Sequence, residues 1–513
     1  MIRWGIIFCL LLPLLLSGQP EFSWSKNIEY NSVRKEFHYH IAKTTDNKSV
    51  IVSGINSTRL SPSAYNLQLF DLENLQISEP INLNLPDFRY EETQLLQFEV
   101  VNDQLVVLYN TFNKKKLKNY LIGIVYDLEG NQKVTPTYLD SLKVNSINRR
   151  GEFIVRVNQK QTELLLTKVE PFEKSALQPL IFKIFNGNLK SLKEYNFELP
   201  FKSRGFDLSQ IELGNDLNTY HLIKVTNEFK KWTTGDPNFK YVLVEVGFET
   251  NEIKEYELKL GKKSISDIAY RVDSNLLQVV GLFSSDGNSI EESSGLFYIS
   301  INTDKREIIN TAVSNYPQDM AGWFLSPNKI AKGKEIRNLV IRRMLPKESG
   351  ATIVLEQYLY REVCNVDART GIVTCEDNYY YNDLVFVTLN DKGKMDSYNV
   401  LKKAQYASVN DEPVLSSLVV TDGKADYAFF YDNPKNDKLI SREKVKVYEA
   451  KMKWMLMLAK VQRQQPIVLS EYLVKLDKKQ RINHQEYFKV NDSTYLIYAE
   501  SKRNYRFGVL KVK

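Results

Sequence analysis

Asn102-Asp103-Gln104-Leu105-Val106-Val107-Leu108-Tyr109 and, a short loop later, Tyr120-Leu121-Ile122-Gly123-Ile124-Val125-Tyr126-Asp127 form the stretch on which the fold turns. An Asx pair opens the first apolar run. A second run, rich in β-branched and aromatic residues, closes at an aspartate. Asn and Asp tolerate positive φ and favour tight hairpins. Short apolar runs bounded by such residues read as strands.

The same two-part unit returns along the whole chain. Turn-plus-strand elements begin at Val50, Leu105, Leu164, Tyr220, Leu276, Thr352, Tyr427 and Tyr495. The strands that follow them begin at Leu67, Leu121, Leu180, Val242, Leu296, Leu384, Leu473 and Phe507. Both elements give a count of eight. Most steps are about 54–62 residues, two approach about 90, and the last is about 34, a loose period that suits a ring of blades carrying insertions. The expected fold is all-β: a single β-propeller of eight four-stranded blades, with seven blades and one misassigned unit as the rival. The last strand runs straight into Lys513, so Phe22 to Tyr30 is expected to supply the missing outer strand and close the ring. A frayed amino-terminal extension is the alternative.

A chain of 513 residues usually makes several domains, but a repeat ring packs each unit only on its neighbours. Thirty Tyr and 25 Phe suit a β-rich fold. Residues 1–18 read as a secretory signal: Arg3, an apolar core from Ile6 to Leu16, then Ser17-Gly18 before a cut at Gln19. Gln19 stands where a lipid-bearing Cys would be, which argues against a lipid anchor. Residues 19–513 are then the propeller, with insertions at about 317–383 and 433–470. No segment after the signal approaches transmembrane length. The expected location is the periplasm, the cell surface or the extracellular space.

Cys9 leaves with the signal, so Cys364 and Cys375 remain as a pair. In an exported chain they read as one disulfide, worth about 2–3 kcal/mol by loop closure. A redox dithiol favours a two-residue gap, and a metal pair needs more ligands nearby. The net charge of +7, from 69 cations against 62 anions, is weak. Lys114-Lys115-Lys116 and Lys230-Lys231 read as solvated loop tips, and no nucleic-acid partner is expected.

The two long steps are where function is expected. The first carries a short helix near Pro317 to Phe324, the cysteine pair, and Tyr379-Tyr380-Tyr381-Asn382-Asp383. Rings, hydroxyls and amides in that run suit a sugar or peptide ligand. The competing reading packs alternate tyrosines between blades and leaves Tyr380 to solvent. The second step carries Arg442 to Gln465, read as an inserted helix ended by Pro466. Tyr448, Met452, Met455, Leu458 and Ala459 fall at helical spacing, and Trp454 widens the apolar face. Such a basic, Met-rich helix suits peripheral membrane contact or partner docking, or simply caps the fold.

Catalytic signals are sparse. Of four histidines, His38 and His40 sit two apart in a strand and read as decoration rather than as ligands. No phosphate loop, His-Glu-x-x-His helix or nucleophile elbow occurs, so neither metal nor cofactor is expected. Carboxylates are plentiful, and a glycoside hydrolase or lyase needs only two or three of them.

Tyr379-Tyr380-Tyr381-Asn382-Asp383, Asp391-Lys392-Gly393, Gln405, Ser408, Asn410-Asp411 and Tyr431-Asp432-Asn433-Pro434-Lys435-Asn436 together resemble a pattern of uncharacterised exported β-propeller-like proteins of Gram-negative bacteria. The resemblance spans Tyr379 to Asp437, about sixty residues. It departs at Asp396-Ser397-Tyr398, where a Trp is expected. It implies an exported propeller and carries no activity. The reading is an exported binding or assembly module that takes a protein or glycan ligand of the cell envelope at the propeller mouth. The alternatives are a carbohydrate-active enzyme using channel carboxylates and a structural envelope component.

Overall fold

The unit from Asn102 to Asp127 folds as read. Strands Gln104–Asn113 and Lys118–Tyr126 pair antiparallel. Val101 and Gln104 face each other across Asn102 (φ 50°) and Asp103 (φ 55°), the two left-handed residues that a type I′ hairpin requires.

The computed structural model describes residues 20–29, 37–43, 48–55, 64–83, 92–144, 151–171, 177–202, 206–226, 238–258, 260–273, 275–285, 291–347, 350–366, 369–408, 412–436, 444–474, 476, 479–501 and 503–512. The signal-like segment and Lys230-Lys231 lie outside them.

Among the described residues the protein is all-β, with β-propeller-type organisation. Among the described residues eight sheets follow one another along the chain, antiparallel except where Gln405–Ser408 pairs parallel with Tyr448–Glu449 in the sixth, and a small two-stranded ladder lies apart from them. The second sheet is typical: Glu92–Val101, Gln104–Asn113, Lys118–Tyr126 and Gln132–Lys143 in chain order. The first strands of neighbouring sheets lie side by side, as Glu152–Val157 does between Glu92–Val101 and Phe206–Leu213.

Each sheet buries both faces. Leu105, Val107 and Tyr109 pack toward Val50, Val52 and Leu67 of the first sheet. The intervening Val106 and Leu108 pack toward Phe153 and Leu164 of the third. Strands buried on both sides must be apolar at every position, which is why they read as continuous runs. Leu496, Tyr498 and Phe507 of the last sheet share one apolar cluster with Ile51 and Phe70 of the first. Glu21–Trp24 is the outer strand of that last sheet, Glu21 facing Lys511 and Trp24 facing Gly508.

Among the described residues the inserted helix expected over 442–465 is absent. The described part of that segment holds a two-residue strand, Tyr448–Glu449, a turn, and the strand Met455–Gln462. Met455, Met457, Ala459 and Val461 face the sixth sheet. Leu456 and Leu458 face the eighth. An apolar residue at every position also satisfies a helical template, and Met, Leu, Ala and Lys are good helix formers. Tertiary burial overrides that preference. The error displaced a neighbour as well: the described residues of 472–476 carry no strand, and Leu473 is 86% exposed.

The first insertion holds two five-residue helices, Gln318–Gly322 and Pro327–Ala331. His38 and His40 lie in the strand Phe37–Lys43, where a register shift between them interrupts the regular alternation.

Candidate interaction site at the long hairpin

The strands Ala351–Val366 and Val373–Leu389 are 16 and 17 residues long, where no other strand among the described residues exceeds 12. Ala351 to Glu356 pairs with Leu384 to Leu389 inside the sixth sheet. Beyond a register shift between Glu356 and Tyr358 the two strands continue as a hairpin, in which Asn378 to Tyr381 still pair with Gln405–Ser408 on the side away from Tyr358. Past Asn378, which lies opposite Arg361 and ends that pairing, Glu362 to Val366 project about 15 Å at ~3.3 Å per residue. The hairpin leaves the sheet at the end opposite the turn that joins Pro346 to Ala351, the end where the connections between sheets also run.

One face of the hairpin is a ladder of directly opposed pairs: Tyr358 with Tyr381, Tyr360 with Tyr379, Glu362 with Asp377, Cys364 with Cys375, and Val366 with Val373. The tyrosine pairs sit 4.9 and 5.5 Å apart by ring centroids. Cys364 and Cys375 form the disulfide. Glu362 lies near their sulfurs, but oxidised sulfurs are not thiolate ligands, so this cluster is no metal site. Toward the tip Val363, Val366, Ile372 and Val373 are all exposed.

A buried polar network holds the base. The Glu356 carboxylate accepts from Lys403 Nζ at 2.6 Å, Arg342 Nε at 2.7 Å and Ser416 Oγ at 2.8 Å. Lys403 Nζ also donates to the Tyr381 carbonyl at 3.2 Å and to Gln405 Oε1 at 3.1 Å. Burial pulls the Lys403 ammonium below the usual lysine range, and Glu356 opposes that shift. Lys402 Nζ reaches Asp383 at 2.5 Å and the Trp323 carbonyl at 2.8 Å, tying the helical insertion to the hairpin. Burial raises the Asp383 carboxyl, with Lys402 pulling the other way. The Arg342 guanidinium lies 4.8 Å from the Tyr358 ring centroid and 5.1 Å from that of Tyr381, whose hydroxyl bonds Glu412.

His484 is buried beside this network, stacked 4.7 Å from Tyr431. Burial, aided by the Lys403 charge, pushes its imidazole down to about 3, so the ring is neutral.

The residues singled out from sequence therefore divide. Tyr379 is half-buried in the tyrosine ladder. Tyr380 points to the opposite face, 5.2 Å from Tyr406. Tyr381 and Asp383 are buried supports, and Asn382 is half-buried between them. The most exposed ring of the ladder, Tyr360 at 47%, was missed. Its signal is the Tyr358-x-Tyr360 alternation across from Tyr379-x-Tyr381.

The proposed contact helix dissolves as a surface. Tyr448, Met455 and Leu458 are buried, and Trp454 packs edge-on against Tyr431 at 4.8 Å. Only Met452, in the turn, stays largely exposed.

A second polar set lines the first strands of four consecutive sheets. Phe98-Glu99-Val100, Val155-Arg156-Val157, Ile211-Glu212-Leu213 and Tyr270-Arg271-Val272 repeat one pattern, a charge between two side chains that point into the packed interior. Glu99 accepts from Gln97, and Glu212 from Gln210 Nε2 at 2.8 Å. Burial pushes the Glu99 carboxyl up to about 7 against the pull of Gln97 and Arg156, and it raises Glu212 in the same direction. Arg156, Gln159, Glu212, Asn215 and Arg271 line a cavity of about 260 Å³. No residue of this set was named from sequence, because plentiful carboxylates look alike until register aligns them.

No protein-family model and no curated sequence matches the chain. Among solved structures it is similar to the WD40 domain of SCAP from fission yeast, at 10% identity and TM-score 0.39 over 96% of this chain and 98% of that one. It is also similar to polysaccharide lyase Uly1, at 8% identity and TM-score 0.38 over 81% and 89% of the two chains. The α-L-arabinanase of Penicillium chrysogenum aligns at 10% identity and TM-score 0.31 over 74% and 98%. Likeness this distant selects no activity. Among the described residues no helix is long and apolar enough to cross a membrane.

Proposed function

We propose that the protein is an exported binding or assembly module, built as a closed eight-bladed propeller, that recognises a protein of the cell envelope through the hairpin on its connection face. Eight apolar interfaces between successive sheets, the last returning to the first, support the closed ring. The outer-strand pairing of Glu21–Trp24 supports it too. The signal-like leader and the Cys364–Cys375 disulfide support export.

One observation carries the functional reading. The hairpin is anchored by a buried charge network and stapled near its tip, yet it holds its aliphatic tip in solvent, where it adds nothing to the core. Rigid presentation of apolar surface lowers the ordering cost of association. The test is capture of envelope proteins by the tagged chain and by a variant in which 360–379 is replaced with an Asn-Gly turn. Loss of a reproducible partner in the variant supports the reading, and equal capture by both overturns it.

A carbohydrate-active enzyme is the second reading. Its support is Glu99, whose carboxyl near 7 suits a general acid, facing the same first-strand lining as Glu212. Turnover on a polysaccharide panel, lost in Glu99→Gln and Glu212→Gln, is the outcome it requires.

A further inference from the structure

The backbone of the hairpin specifies how a partner is held. Tyr358 donates its N–H to the Asn338 carbonyl at 2.8 Å, so its peptide groups point away from the Val373–Leu389 strand. In an antiparallel pair this direction alternates with every residue. Tyr360, Glu362, Cys364 and Val366 therefore also turn their N–H and C=O groups outward. The Leu339–Pro346 strand, which covers this edge lower down, ends its pairing at Gln357. Among the described residues nothing pairs with the edge from Leu359 to Val366.

Proteins usually blunt such an edge with Lys, Pro, a bulge or a covering element. Leu359-Tyr360-Arg361-Glu362-Val363-Cys364-Asn365-Val366 has no Lys and no Pro, and its register with the partner strand is unbroken from Tyr358 onward. Among the described residues the edge is straight, stapled and uncovered.

Its charge is unbalanced in one place. Glu362 and Asp377 lie directly opposite each other, and like charges so placed repel. Tyr360 donates to Asp377 at 2.7 Å, which relieves one carboxylate only in part. A cation arriving on a third strand at this level would complete the row.

We propose, on the strength of the binding reading above, that this edge takes an extended protein segment as an added strand. The segment carries a Lys or Arg against Glu362 and Asp377 and apolar residues against Val366 and Tyr360. Main-chain hydrogen bonds supply affinity, and the acidic pair supplies register. A glycan lacks the regularly alternating N–H and C=O groups that a strand would match to the whole edge.

The probe is a short synthetic peptide alternating threonine and valine around a central lysine, with a central-glutamate peptide as its counterpart. Hydrogen exchange on the full chain should slow at Tyr360, Glu362, Cys364 and Val366 when the lysine peptide binds. Arg361, Val363 and Asn365, already bonded inside the hairpin, should not change. Glu362→Pro removes an outward N–H that the hairpin does not use, and should weaken binding at least about tenfold. Val366→Lys charges the edge without touching the backbone and should act the same way. The central-glutamate peptide should bind about fivefold more weakly, and Glu362→Gln with Asp377→Asn should erase that difference. Unchanged exchange at the four outward amides overturns strand addition, as does equal binding by Glu362→Pro and Val366→Lys. The chain lacking 360–379 separates the two proposals. If it loses its envelope partner while Glu362→Pro keeps it, the hairpin remains the binding element and the added strand is wrong.

Discussion

Lys403 and Glu356 meet at 2.6 Å with neither side chain exposed to solvent. The pair joins the link between the strands Met395–Leu401 and Gln405–Ser408 to the base of the projecting hairpin, and Arg342, Ser416 and Gln405 complete its bonds. Breaking such a pair strands a charge, whereas replacing both partners with apolar groups does not. Glu356→Leu, which leaves the buried Lys403 ammonium without its carboxylate, should destabilise the chain by about 3–5 kcal/mol, and adding Lys403→Met should recover part of that loss, Arg342 still lacking its acceptor. Urea unfolding of the two variants measures the difference.

The disulfide should act locally. It closes a hairpin tip outside the packed interfaces, so Cys364→Ser with Cys375→Ser should leave the global midpoint within about 0.5 kcal/mol of the wild type. Amides from 361 to 377 should exchange at least about tenfold faster. A large fall in the global midpoint would show that the tip is coupled to the core.

Glu99 should make stability fall as pH rises. Burial lifts its folded carboxyl from 4.5 to about 7. Between those values the folded state holds a proton that the unfolded state has released, so stability is lost as pH climbs through the window. Glu99→Gln should be nearly neutral at pH 4 and stabilising by about 1–3 kcal/mol at pH 8. Thermal unfolding at the two values checks the sign.

The strand Met455–Gln462 predicts intolerance at consecutive positions. Lysine at Met457, Leu458 or Ala459 should each lower stability by about 2–4 kcal/mol, because adjacent residues enter different interfaces. A surface helix would spare at least one of them. Circular dichroism should show no helix of two dozen residues.

Removal of residues 20–29 should uncover the strand Asn504–Lys511 and speed exchange along it. Trp24→Ala alone should be destabilising by about 1–3 kcal/mol, since Trp24 is half-buried against the interface of the last two sheets.

Much of the fold was legible because turn chemistry and apolar runs are local. Asn102-Asp103 announces its hairpin whatever surrounds it, and Cys364 and Cys375 announce a pair by number and spacing. Tyr379 to Asp383 marked the right region without its roles. Register alone places Tyr379 and Tyr381 on one face with Tyr360, and burial alone turns Asp383 into a support for Lys402.

By itself, then, the sequence determined the alternation of turns and strands and the cysteine pair, which depend on residues close together in the chain. The tertiary structure decided that Met455 to Gln462 is a strand, because only neighbours on both faces distinguish a doubly buried strand from a helix. It also decided which carboxylates share the first-strand lining and where an edge stays open. Those relations join residues tens to hundreds of positions apart, brought together by packing that no local pattern encodes.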